Sequence, residues 1–101
     1  DLNTALGFVN QIKTRAYGNN SGNITSGQLT LDFILDERGR ELHWEGHRRT
    51  DLIRFGKYNS LIWPFKGRVP EGRPSEAFRQ LHPIPSTDLI ANPNLKQNPG
   101  Y

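Results

Sequence analysis

Residues 36–57 read D-E-R-G-R-E-L-H-W-E-G-H-R-R-T-D-L-I-R-F-G-K. Five acids, counting Asp36, and six bases are interspersed here rather than blocked. Blocks of one sign belong to solvated tails, so this alternation points to specific pairing. A helical wheel run without interruption over residues 31–53 puts Leu31, Ile34, Leu35, Leu42 and Ile53 within about 60° of a common line. Arg38, Glu45 and Arg49 fall inside the same arc. Charge on an apolar face is costly unless it is paired and hydrogen-bonded, and Glu45 precedes Arg49 by four positions, the favourable order. The three are read as a buried ionic clamp that locks two helices together; the competing reading makes Glu45 a catalytic acid/base group. Gly39 and Gly46 each cost about 1 kcal/mol inside a helix. Their compensation is close approach of another backbone or, for Gly46, a helix break.

Outward from this stretch the pattern stays helical. Leu2, Ala5, Leu6, Val9, Ile12 and Ala16 recur at helical spacing, with Asp1 or Asn3 to cap the start and Gly18 placed at the end. G-N-N-S-G-N-I-T-S-G is a loop of turn formers. Thr30 caps a second helix with Asp32 in its first turn, and Gly56 stands where a C-cap is expected. The spacing predicts a mainly α chain whose residues 1–57 form an antiparallel helical hairpin.

From residue 58 the character changes. All seven prolines lie at or beyond Pro64, which excludes long helices and central strands there. Residues 58–101 read as a long, proline-rich irregular wrap with one helical turn near Ser86–Ile90. Such a wrap has few ways to pair its own backbone groups, so it calls for a partner surface.

Composition limits the function classes. The chain has 101 residues, 34% of them hydrophobic, with a mean hydropathy of −0.72. That is one small domain with a thin core. With no cysteine, disulfides, thiolate metal sites and cysteine nucleophiles are excluded. No apolar run approaches the roughly 18 residues of a membrane span. The net charge is +3 and the pI about 9.6, yet Glu37, Glu41, Glu45 and Asp51 interrupt the arginines. That is not the unrelieved basic stripe of a nucleic-acid binder.

Catalytic patterns are missing. His43 and His47 share the i, i+4 spacing of a zinc-protease helix, but Trp44 stands where that motif needs glutamate. A third ligand is also wanting, so no metal or other cofactor is expected. Neither a nucleophile elbow nor a phosphate-binding loop occurs. The aromatic residues carry the remaining signal. Tyr58, Trp63 and Phe65 cluster in Y-N-S-L-I-W-P-F, and such rings cover the apolar face of a sugar while a polar tip hydrogen-bonds. They are the candidate glycan-binding residues, Trp63 foremost. The competing reading uses the same rings to anchor the wrap onto the helices.

E-R-G-R-E-L-H-W-E-G-H-R-R-T-D-L-I-R-F-G, P-I-P-S-T-D-L and the terminal N-P-N-L-K-Q-N-P-G-Y resemble the C-terminal end of SusD/RagB-family proteins. The resemblance covers about Leu6 to Tyr101 and implies that residues 1–101 are a C-terminal portion of such a domain. It further implies a helical scaffold of tetratricopeptide-like units and a surface lipoprotein of the outer membrane in Bacteroidetes. It implies oligosaccharide as ligand, a TonB-dependent, SusC-like transporter as partner, and no enzymatic activity. The export signal and lipid-bearing cysteine are implied upstream of Asp1, and the charged motif is implied to be scaffold rather than sugar site. The alternative function is a structural or protein-interaction module that docks to a partner and binds no sugar itself.

Overall fold

Side-chain caps start the first two helices where the sequence puts them. In the computed structural model, which describes all 101 residues, α1 spans Leu2–Tyr17 and α2 spans Leu31–Glu41. The Asn3 backbone N–H donates to the Asp1 carboxylate (3.0 Å), and that of Phe33 to the Thr30 hydroxyl (3.0 Å). Each cap satisfies one of the four donors that a helix start leaves open. Two shorter helices follow, α3 at Arg48–Arg54 and α4 at Ser86–Ala91. Single 3-10 turns lie at Asn20–Gly22, Ser26–Gln28, Lys66–Arg68 and Ala77–Gln80. No residue lies in a β-strand, so the chain is mainly α.

The continuous helix over residues 31–53 is not formed. α2 stops at Glu41, and Leu42–Gly46 make a turn in which Trp44 (φ 68°) and Gly46 (φ 77°) are left-handed. Glycine adopts that conformation without steric cost, whereas Trp44 gives up about 1–2 kcal/mol to it. The wheel therefore loses its meaning beyond Glu41. Glu45 sits exposed on the turn, where an unpaired carboxylate is simply hydrated.

The chain divides into two compact units, Asp1–Gly46 and His47–Tyr101. In the first, α1 is tied to the loop that follows it. Asn10 donates to the Ile24 carbonyl (3.0 Å) and accepts from the Ile24 N–H (2.8 Å). One side-chain amide thus replaces a backbone partner on both sides. The Thr14 hydroxyl reaches the side-chain oxygens of Asn20 and Asn23 at 3.1 and 3.0 Å.

The ionic network of this unit centres on Lys13 and Glu37, while Glu45 stands exposed on the turn. Lys13 is buried, with its ammonium 3.5 Å from Glu37 and within 5.3 and 5.7 Å of the centres of the Tyr17 and Phe33 rings. Glu37 also accepts from Arg40, at 2.6 and 2.9 Å, and Arg15 pairs with Glu41. Lys13 and Arg15 of α1 thus reach Glu37 and Glu41 of α2. Charged side chains connect α1 to α2, and Phe8 and Ile12 on α1 remain exposed.

In the second unit Leu52 and Asp51 of α3 are buried. The proline-rich segment that follows does pair its own backbone, through side-chain amides. Gln97 donates to the Ile84 carbonyl (2.9 Å) and accepts from the Ile84 N–H (2.8 Å). Asn98 donates to the His82 carbonyl and the Tyr101 hydroxyl to that of Leu81, both at 2.8 Å. The Tyr101 ring meets Phe78 edge-on, with centroids 4.8 Å apart. Proline removes donors from this segment, and glutamine and asparagine supply them.

Candidate functional site

The aromatic residues picked from the sequence lie on the connection that leaves α3. Lys57 and Tyr58 both donate their backbone N–H to the Leu52 carbonyl (2.8 and 3.0 Å), which closes the helix end. The loop 63–73 then winds back on itself. The Lys66 N–H donates to the Trp63 carbonyl (3.1 Å), that of Phe65 to Pro70 (3.2 Å), and that of Arg73 to Lys66 (3.0 Å). Phe65 (φ 65°) and Arg68 (φ 64°) are left-handed. Strain of this kind persists only where the surrounding contacts over-determine it.

Gly72 is one such contact. Its φ is 76°, and a Cβ added there would meet the Trp63 carbonyl and lie 2.8 Å from Ile62 Cγ2. Only a residue without a side chain lets the two arms of the loop close at this point.

Lys66 is the pin. No residue pattern announces its role. It is 7% exposed, and its ammonium donates to the carbonyls of Tyr58 (3.1 Å) and Leu61. It also lies 4.6 Å from the centre of the Trp63 ring. Burial disfavours the charged form and pushes the Lys66 pKa below the ordinary lysine value. Two carbonyl dipoles and an aromatic face are what keep an ammonium tolerable there.

The three candidate rings have three different environments. Trp63 is 45% exposed, so one part of the indole is held by Lys66 while the rest faces solvent. Tyr58 is half-buried, its hydroxyl accepts from Arg49, and the Arg49 guanidinium covers its ring. Phe65 is 73% exposed. No ring of the three stacks on another, so they form no single aromatic platform. Trp63 alone combines a fixed position with an open apolar surface. Arg49, assigned to the clamp from sequence, is engaged within the second unit by Tyr58 and by the Arg79 and Gln80 carbonyls (2.8 and 3.1 Å). Arg38 lies half-buried on α2. His43 and His47 are both exposed on or beside the turn that ends α2, no longer on one helix face.

Asn59 fixes the far wall of this region, a role the sequence reading missed. Its side chain donates to the carbonyls of Ser75 (3.1 Å) and Glu76 (2.8 Å), it receives the Ser75 N–H on its own carbonyl (3.0 Å), and Gln80 donates to its Oδ1. A cavity of about 470 Å³ also lies beside α1, lined by Asn10, Thr14 and Asn23 among others. Asn10 and Thr14 already hold the loop that follows α1.

Comparison with known proteins bears on what these residues serve. The whole chain, residues 1–101, matches the model of the SusD family. It is 35% identical over 99 residues to the starch-binding protein SusD of Bacteroides thetaiotaomicron, a match covering 96% of this chain and 17% of that protein. It is 37% identical over 79 residues to a SusD-like protein of Formosa agariphila, covering 78% of this chain and 14% of the relative. With a second SusD-like protein of that organism it shares 33% identity over 107 residues, covering 96% and 20%. The chain therefore spans a fifth or less of the length of these relatives.

Proposed function

This chain belongs to the SusD family, and we propose that it is part of a cell-surface glycan-binding protein that delivers oligosaccharides to a TonB-dependent, SusC-like outer-membrane transporter. One observation carries the reading: 35% identity across nearly the whole chain to a protein named for binding starch. On this reading the protein binds and passes on its ligand without chemically changing it. It belongs at the outer membrane as a lipoprotein, held there by a lipid anchor outside these residues. The helices serve as scaffold in the manner of a tetratricopeptide-like unit. Trp63 is the sugar-facing residue, because its half-open indole is pinned from behind by Lys66. A ring held in place spares the ordering cost that a mobile platform would incur on binding. Tyr58 and Phe65 act beside it, Tyr58 chiefly by holding the loop to Arg49.

A second reading is favoured by the exposed apolar residues. Leu35 and Leu52 are the buried hydrophobic residues, each 3% exposed, while Leu2, Phe8, Leu31, Leu81 and Ile90 all lie open. Apolar side chains left open in this way are available to a partner surface, as in a docking module. Such a module would bind a partner and no sugar. Calorimetric titration of the full-length protein with a panel of oligosaccharides separates the two. Saturable binding supports glycan recognition, and a silent panel with intact association to the transporter supports the docking module.

A further inference from the structure

A cavity of about 510 Å³ opens in the second unit, and arginine dominates its polar lining. Arg68, Arg73 and Arg79 face it with Glu76 as the one acid, leaving a net charge of +2. Glu76 is already committed, since Arg79 Nε donates to it at 2.5 Å. Arg68 and Arg73 have no acidic partner. Resting on the glycan-binding reading above, we propose that this cavity is an oxyanion subsite which selects acidic oligosaccharides, those bearing uronate carboxylates or sulfate esters.

Three observations support it. First, the cavity is built from held parts. Asn59 pins the Ser75–Glu76 wall with two side-chain hydrogen bonds, and the Arg73 backbone is fixed to the Lys66 carbonyl. The Arg73 side chain lies directly across Gly67, where an added Cβ would come within 2.5 Å of its Cγ and Nε. With its stem lying there, the Arg73 side chain has less freedom to lose on binding.

Second, the chemistry of the lining favours an oxyanion over a neutral sugar or a cation. Guanidinium offers donors in a planar fork that matches carboxylate or sulfate geometry, and it has no acceptor for a hydroxyl proton. Neutral sugars call for mixed donors and acceptors such as amides. A metal ion is repelled by the net positive charge.

Third, the cavity and Trp63 are served by one loop, residues 63–73. Arg68 and Arg73 sit on the same wound segment whose start is fixed by Lys66 and whose end closes under the Trp63 carbonyl at Gly72. A saccharide that rests a ring on the indole brings its acidic substituents to a loop that already carries two uncommitted cations.

The test titrates the full-length protein by calorimetry with oligogalacturonate, a sulfated galactan oligosaccharide, a neutral malto-oligosaccharide of equal length, and inorganic sulfate. Each is run at low and high salt. The expected result is a preference of about tenfold for an acidic over the neutral oligosaccharide, steeply weakened by salt. In the doubly substituted Arg68→Gln, Arg73→Gln protein that preference falls several-fold. A second measurement needs no variant: on adding the acidic oligosaccharide, the Nε–H resonance of Arg73 shifts in the native protein. Binding of neutral and acidic oligosaccharides with equal affinity, or an undiminished preference in the variant, overturns the subsite while leaving glycan recognition intact. Sulfate that shifts the Arg73 resonance where no acidic oligosaccharide does overturns the saccharide assignment. A protein that binds none of the oligosaccharides brings down both readings together.

Discussion

Arg49 lies with its guanidinium 4.7 Å from the centre of the Tyr58 ring and donates to the Tyr58 hydroxyl. From its other nitrogen it donates to the carbonyls of Arg79 and Gln80. One side chain on α3 thereby holds both the start of the aromatic loop and the segment that carries the arginine-lined cavity. Arg49→Ala should destabilise the protein by about 2 kcal/mol, since charge-assisted hydrogen bonds to carbonyls are lost together. Arg49→Lys should recover less than half of that, because an ammonium cannot span the same acceptors as a planar fork. Urea unfolding of the three proteins checks it. A lysine variant as stable as the parent would show that charge alone suffices.

Glu37 and Glu45 should behave oppositely. Glu37 keeps only 13% of its side-chain surface exposed and receives both Lys13 and Arg40, so Glu37→Ala leaves a buried ammonium without its carboxylate and should cost about 2 kcal/mol. Glu45 is exposed on the turn, and Glu45→Ala should stay within about 0.5 kcal/mol of the parent. Thermal unfolding of both variants decides. A large loss at Glu45 would restore the clamp inferred from the helical wheel.

The contrast shows what the sequence could reveal. The starts of α1 and α2 were legible because their signals are local: a capping Asp1 or Thr30 and apolar residues at helical spacing. A break at Gly46 is among the readings the sequence offers, but the apolar pattern continuing in register through Leu42 to Ile53 hides that α2 already stops at Glu41 and that Trp44 turns left-handed. The ionic network escaped for a related reason. Lys13 and Glu37 are far apart in sequence, and nothing marks a lysine on an amphipathic helix as the buried one. In the candidate site, Trp63 could be named from its chemistry. Lys66 and the arginine-lined cavity depend on left-handed turns at Phe65 and Arg68, which no residue preference announces.

Gly72→Ala should distort the Trp63 loop. The methyl group would strike the Trp63 carbonyl at a position whose φ of 76° is itself unfavourable for alanine. A loss of about 2 kcal/mol is expected, with a shift of the indole fluorescence. An unchanged emission spectrum together with unchanged stability would show that the loop relaxes freely.

Lys66 should give the loop an unusual pH response. Burial lowers its folded-state pKa below that of an ordinary lysine, so between the two values the unfolded chain binds more protons than the folded one. Stability then rises with pH across that window, and the penalty for holding the ammonium is greatest below the folded-state pKa. An NMR titration followed at the Lys66 side chain should place its midpoint below that of an ordinary lysine. A midpoint at or above that value would mean that the two carbonyls and the Trp63 ring outweigh desolvation.

The most direct test of the account is calorimetric titration of the full-length protein and its Trp63→Ala variant with an oligosaccharide panel. Trp63 is pinned by Lys66 and nearly half open, so the native protein should bind at least one glycan saturably. Loss of the indole should weaken that binding about tenfold or more, as expected when a buried aromatic contact is removed from a binding site. Equal affinity in the two proteins would contradict the assignment of Trp63 as the sugar-facing residue.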